Sequence, residues 1–133
     1  MELIYLYIED DKRNIKNCEF NFSPKYRIHY EQEKKELIIK EESDYIENFW
    51  EASNISNITA IIGKNGTGKS NLIKFLLEKH KGKSTIYIYI INKELKIRTN
   101  ISELKTDKEF VEESVICYPT IFHSPNIYPT LHL

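Results

Sequence analysis

The chain has 133 residues, of which 41% are hydrophobic and 29% are charged, and its formal net charge is −1. This length suits one small domain and is too short for a complete large NTPase with accessory domains. A net charge near zero excludes a global attraction to nucleic acid or to an anionic membrane, so any such contact must be local.

The first part of the chain predicts antiparallel strands. Residues 3–8 are β-branched and aromatic and predict a strand, and after a polar turn residues 19–22 predict a returning strand. Residues 26–30 and 36–40 flank a charged turn, which predicts a β-hairpin. Residues 41–57 are mixed and favour neither helix nor loop.

The middle of the chain predicts a strand followed by a helix. Residues 58–62 are apolar apart from Thr59, a composition typical of a strand buried on both faces of a parallel sheet. Residues 70–80 have apolar side chains at helical spacing. A glycine-rich loop joins the two segments.

The last part of the chain predicts a second hairpin and a short helix. Residues 85–91 and 94–98 predict the hairpin, and residues 102–113 the helix. No apolar run approaches the roughly 20 residues that span a bilayer. The two cysteines, Cys18 and Cys117, lack metal-site spacing and are typical of reduced thiols, so we expect a cytoplasmic protein.

The loop between strand and helix carries the most specific motif of the sequence. A glycine is followed by four residues and then by Gly-Lys-Ser, which is the pattern of a phosphate-binding loop. Its residues are Gly63, Lys64, Asn65, Gly66, Thr67, Gly68, Lys69 and Ser70. Glycines allow successive backbone N–H groups to turn inward around an anion, and the following helix points its positive end at the same anion. Lys69 then contacts the β and γ phosphates of ATP, and the Ser70 hydroxyl coordinates Mg²⁺.

Residues for hydrolysis are missing from the sequence. Hydrolysis in this class normally needs an acidic residue at the end of a second buried strand, and no apolar run after Ser70 ends in Asp or Glu. We therefore predict no catalytic residue in these 133 residues. Two interpretations stay open: part of a longer ATPase, or a short regulatory module that binds nucleotide without hydrolysing it and controls a partner protein. A nucleotide kinase or a GTPase is a third interpretation, which is disfavoured by the two antiparallel strand pairs predicted ahead of the loop.

Residues 61–72 resemble the ABC-type branch of P-loop ATPases. More closely, they are similar to the bacterial AAA family ATPases grouped with the SMC, RecF and OLD proteins, whose loop also carries an asparagine at the position of Asn65. Two further segments are similar to that family. One is the turn Arg13-Asn14-Ile15 after the first strand, where Lys12 replaces a common aromatic residue, and the other is residues 122–126.

The resemblance implies an α/β (α+β) fold with a P-loop NTPase core, made of a parallel strand–loop–helix unit and antiparallel hairpins. Residues 1–133 would be the N-terminal lobe of the ATPase domain, and Arg13, Asn14 and Asn71 would lie near ATP and Mg²⁺. The implied partner is a second ATPase head, in a homodimer or in another protein. The resemblance leaves open whether the protein works with a nuclease or effector partner and whether it contacts DNA. It also leaves open a role in DNA repair or anti-phage defence.

Overall fold

The computed structural model describes residues 1–47, 49, 55, 57–77, 84–108 and 110–112, and of residues 111 and 112 the backbone. The described residues form an α+β fold of mostly antiparallel sheets with one helix. The elements in chain order are β1 (Glu2–Asp10), β2 (Lys16–Asn21), β3 (Tyr26–Glu31), β4 (Glu36–Glu41), α1 (Lys69–Leu77), β5 (Thr85–Ile91), β6 (Glu94–Thr99), β7 (Lys105–Thr106) and β8 (Val111–Glu112).

Strand β1 lies inside a five-stranded sheet with the order β2-β1-β5-β6-β8. It pairs antiparallel with β2 on one side and with β5 on the other. Its two faces meet different layers. Leu6 and Ile8 pack against α1, whereas Tyr5 and Tyr7 pack against the second sheet. Because both faces are covered and both edges are paired, residues 4–8 are all buried.

The second sheet has three strands in the order β3-β4-β7. Strands β3 and β4 form an antiparallel hairpin, and the two-residue strand β7 runs parallel to β4. The inward side chains of the hairpin, including Ile28, Tyr30 and Leu37, join the core cluster that contains Tyr5 and Tyr7. The molecule is thus layered as helix, large sheet and small sheet.

Two side chains of β2 bind the backbone of β3 and join the sheets. The Asn21 side-chain amide accepts a hydrogen bond from the Ile28 N–H at 2.8 Å and donates one to the Ile28 carbonyl at 2.9 Å. The Glu19 carboxylate accepts the Tyr30 N–H at 3.1 Å. Edge strands expose unpaired backbone groups, and here side chains take the place of a neighbouring strand.

Glu19 also has two side-chain partners. The Tyr5 hydroxyl donates to Oε2 at 2.9 Å, and His29 Nδ1 lies 2.9 Å from Oε1. Partial burial raises the pKa of the Glu19 carboxyl, but the hydrogen bonds from His29, from the Tyr30 backbone and from Tyr5 outweigh it, and the pKa lies below its usual value.

The strands of both predicted hairpins and the first strand pair are confirmed. The predicted helix over residues 70–80 is confirmed for the described part, α1, and residues 78–80 lie outside the described residues. Residues 113–133, which include the family-like segment 122–126, also lie outside them. The described residues contain no helix that is long and apolar enough to cross a membrane.

The prediction of a buried parallel strand over residues 58–62 is wrong. These residues form no strand, and Ile58 and Ile62 are 59% and 90% exposed. The Thr59 hydroxyl donates to the Phe22 carbonyl instead of pairing with a strand. An apolar run becomes a buried strand only where other strands flank it, and none of the described strands does so. The strand of the expected strand–loop–helix unit is therefore absent from the described fold.

The prediction of a helix over residues 102–113 is also wrong. Within the described part of this segment, β7 pairs with β4 and β8 pairs with β6. Glu103 has φ of 61°, which is left-handed and interrupts a right-handed helix. Ile101 and Leu104 pack on the tyrosine-containing core from irregular chain. Pairing with two sheet edges decided the structure of this segment.

Candidate phosphate-binding site

The glycine loop leads directly into α1. Lys69 is the first helical residue, and the Leu72 N–H donates to the Gly68 carbonyl at 2.8 Å as the first bond of the helix. Gly66 and Gly68 have φ of 82° and 92°, values that glycine adopts without the strain a side chain would add. The loop therefore places the N-terminal end of α1, where the first N–H groups lack helical partners, at its open side.

The start of the loop packs tightly against its own fifth residue. A Cβ added to Gly63 would lie 2.7 Å from Thr67 Oγ1. That hydroxyl donates to the Lys64 carbonyl at 2.8 Å and so closes the loop. The position therefore needs glycine for close approach, independently of backbone φ.

The Lys69 side chain folds back into the loop. Its Nζ donates to the Gly63 carbonyl at 2.6 Å and to the Lys64 carbonyl at 2.7 Å. Two backbone carbonyls at the start of the loop therefore hold the Lys69 ammonium, and its contact with phosphate stays a prediction.

The turn between β1 and β2 contacts the loop from the side. The Asn71 side-chain amide donates to Asn14 Oδ1 at 2.5 Å, and a Cβ on Gly68 would lie 3.0 Å from Asn14 Nδ2. Asn14 and Asn71 are 57 positions apart in sequence. The structure therefore brings Asn14 against both Asn71 and the glycine loop. Arg13 lies next to Asn14 in the same exposed turn.

The side chain that builds this turn is Asp11, which the sequence analysis missed. It is 2% exposed, and its Oδ1 accepts the backbone N–H groups of Arg13 at 2.8 Å and Ile15 at 2.9 Å. An aspartate that precedes polar residues at a strand end often binds N–H groups two residues further on, and this pattern was the available signal.

Packing of α1 fixes the position of the loop against the sheet. Leu72 and Phe75 on its inner face are buried with Leu6, Ile8 and Ile15. These partners lie at the end of β1 and in the turn that carries Asn14. The helix and the turn therefore share one small apolar cluster with β1.

The remaining residues assigned to the loop are open to solvent. Lys64, Asn65 and Ser70 are exposed, and Ser70 lies in the first turn of α1. In the part of the chain that the structure describes, no three His, Cys, Asp or Glu side chains come together as a metal site. Mg²⁺ commonly keeps waters and binds through substrate phosphates with few protein ligands. An exposed hydroxyl beside the loop fits that chemistry.

Comparison of the chain with protein-family models, with curated proteins and with solved structures finds no match.

Proposed function

We propose that this chain binds Mg²⁺-ATP through residues 63–70. The observation that carries the proposal is the Lys69 ammonium held inside a loop whose Gly66 and Gly68 have positive φ. A loop of this kind at a helix N-terminus offers backbone N–H groups and a positive charge to the same anion.

Lys69 is suited to exchange its partners for phosphate oxygens. Its two acceptors are neutral carbonyls of Gly63 and Lys64. An ammonium is attracted more strongly to a charged phosphate oxygen than to a neutral carbonyl, because the attraction of two full charges adds to the hydrogen bond. In the bound state Lys69 would neutralise the β and γ phosphates, Ser70 would hold Mg²⁺, and Mg²⁺ would shield phosphate charge.

We further propose that the binding loop belongs to the N-terminal lobe of an ABC/AAA-type ATPase head. The exposed apolar residues Ile58 and Ile62 ahead of the loop support this, because such a run gains stability when further chain covers it. Asp11, the buried carboxylate near the loop, accepts two backbone N–H groups. We therefore assign Asp11 to the turn and not to water activation, and we expect little ATP turnover by these residues alone.

The test is Mg²⁺-ATP binding by isothermal titration calorimetry to the wild type, Lys69→Ala and Lys74→Ala. Lys74 is an exposed residue of the same helix, so its replacement removes the same charge outside the loop. We expect binding to be lost in Lys69→Ala, retained in Lys74→Ala and weakened by EDTA. Equal affinity of Lys69→Ala and wild type would overturn the proposal. Measured turnover by the wild type would overturn the expectation of a binding-only unit, including the alternative of a non-hydrolysing regulatory module.

A further inference from the structure

The Asn14 side chain spans the two parts of the site that must keep a fixed geometry. Its Oδ1 accepts the Asn71 amide in the first turn of α1, and its Nδ2 lies where a side chain on Gly68 would be. Asn14 thus touches both the last glycine of the loop and the helix that follows. The amide oxygen already has a protein partner, which favours a holding role over direct contact with a ligand.

The turn that presents Asn14 is itself anchored on both sides. Asp11 binds the N–H groups of Arg13 and Ile15, which precede and follow Asn14. Ile15 is 5% exposed and packs with Leu72 and Phe75 of α1. Asn14 is therefore held at the point where the turn meets the helix.

We propose that Asn14 is a positioning residue, which as a neutral amide holds Gly68 and the first turn of α1 in the orientation that binds phosphate. This inference rests on the function proposed above. The neutrality of the side chain is part of the inference. Aspartate has the same shape and keeps the acceptor for Asn71, and a carboxylate near a helix N-terminus stabilises the helix. Aspartate at position 14 would thus suit the fold, but it would repel a bound polyphosphate.

The experiment measures Mg²⁺-ATP affinity and thermal unfolding in parallel for the wild type, Asn14→Asp and Asn14→Ala. We expect Asn14→Asp to unfold at a temperature no lower than the wild type and to bind Mg²⁺-ATP about tenfold more weakly at low salt, because of charge repulsion. This loss should shrink at high salt, since ions screen exposed charges. Asn14→Ala should bind about fivefold more weakly through loss of the hydrogen bond.

The matched control is Asn92→Asp, which makes the same charge change in the β5–β6 turn. Because Glu2 pairs with Ile90, this turn lies at the opposite end of β1 from Asn14. We expect its Mg²⁺-ATP affinity to equal that of the wild type. A second test combines Asn14→Ala with Asn71→Ala. The double variant should bind Mg²⁺-ATP with the affinity of whichever single variant binds it more weakly, because both substitutions remove the same Asn14–Asn71 hydrogen bond.

The inference is overturned if Asn14→Asp binds Mg²⁺-ATP as the wild type does, or if the losses of Asn14→Ala and Asn71→Ala simply add. A lower unfolding temperature with an unchanged salt dependence would show a purely structural role and would also overturn it. Lys69→Ala separates the two proposals. If its binding is lost while the Asn14 variants bind normally, only the positioning role fails. If the wild type does not bind Mg²⁺-ATP, both proposals fail.

Discussion

Gly63→Ala is the loop substitution with the most defined steric consequence. The new methyl group would meet Thr67 Oγ1 at 2.7 Å, whereas its next contacts, at 3.7 and 3.8 Å, are ordinary van der Waals distances. The hydroxyl must therefore rotate away, and it then loses its bond to the Lys64 carbonyl. The lost hydrogen bond costs about 1 kcal/mol, and an unfavourable rotamer adds up to about 1 kcal/mol. We expect Mg²⁺-ATP affinity to fall about tenfold.

The matched variant is Thr67→Ala, which removes the one atom that the methyl group meets closely. On this background Gly63→Ala should have little further effect, so the double variant should bind like Thr67→Ala alone. Calorimetric titration of the four proteins gives the coupling free energy, and urea unfolding checks that the overall fold is unchanged. If the two losses are additive, the contact between these residues does not shape the loop and the reasoning is refuted.

Three further predictions concern the packing and electrostatics of the fold. Ile62→Ser should change the free energy of unfolding by less than about 0.5 kcal/mol, because the Ile62 side chain is exposed. A loss near 3 kcal/mol in urea unfolding would show instead that residue 62 is buried, as the predicted strand requires. Phe75→Ala should lower the free energy of unfolding by about 3–5 kcal/mol and weaken Mg²⁺-ATP binding, since Phe75 joins α1 to the sheet. Ile73→Ala, on the exposed face of the same helix, should lower it by less than about 1 kcal/mol. Equal losses of the two variants in urea unfolding would contradict the orientation of the helix. Glu19→Gln should make the free energy of unfolding depend less on pH in the acid range. Folding lowers the pKa of Glu19, so its carboxylate contributes its full stability above the unfolded-state pKa, near 4.3. That contribution is lost as the pH falls through the pKa of the folded state. Because the Glu19 side chain is partly exposed, we expect its contribution to the free energy of unfolding to change by about 1 kcal/mol or less between pH 6 and pH 3, measured by urea unfolding. The same pH dependence in the wild type and in Glu19→Gln would refute the lowered pKa of Glu19.

The elements that could be predicted from sequence are those set by neighbouring residues. Strands β3 and β4 alternate around a charged turn, and β5 and β6 flank Asn92 and Lys93, whose left-handed φ values suit a tight hairpin. The first helical turns of α1 follow from local spacing and from the glycine loop before it. Each of these signals lies within about 15 residues of chain.

The features that could not be predicted depend on partners distant in sequence. Apolar composition at residues 58–62 cannot show whether flanking strands exist. The short strands β7 and β8 join sheet edges built by earlier parts of the chain. The Asn14–Asn71 hydrogen bond joins two polar residues whose local patterns indicate only a turn and a helix start. The motif thus identified the loop, but its supporting contacts required the three-dimensional structure.

The chain approaches the glycine loop from the side of the sheet where β1 begins. Thr59 is tethered to the Phe22 carbonyl, and Phe22 lies opposite Ile4 near the start of β1. Gly68 meets Asn14 beyond the end of β1. At about 3.3 Å per residue, these two ends are about 20 Å apart, and the nine residue-to-residue steps from Thr59 to Gly68 reach about 30 Å at most.

The chain from Thr59 to Gly68 therefore leads from the start of β1 towards its end. Residues 58–62 lie on this path, exposed and without a strand partner among the described strands. The loop at its end is held instead by Asn14 and by the packing of α1.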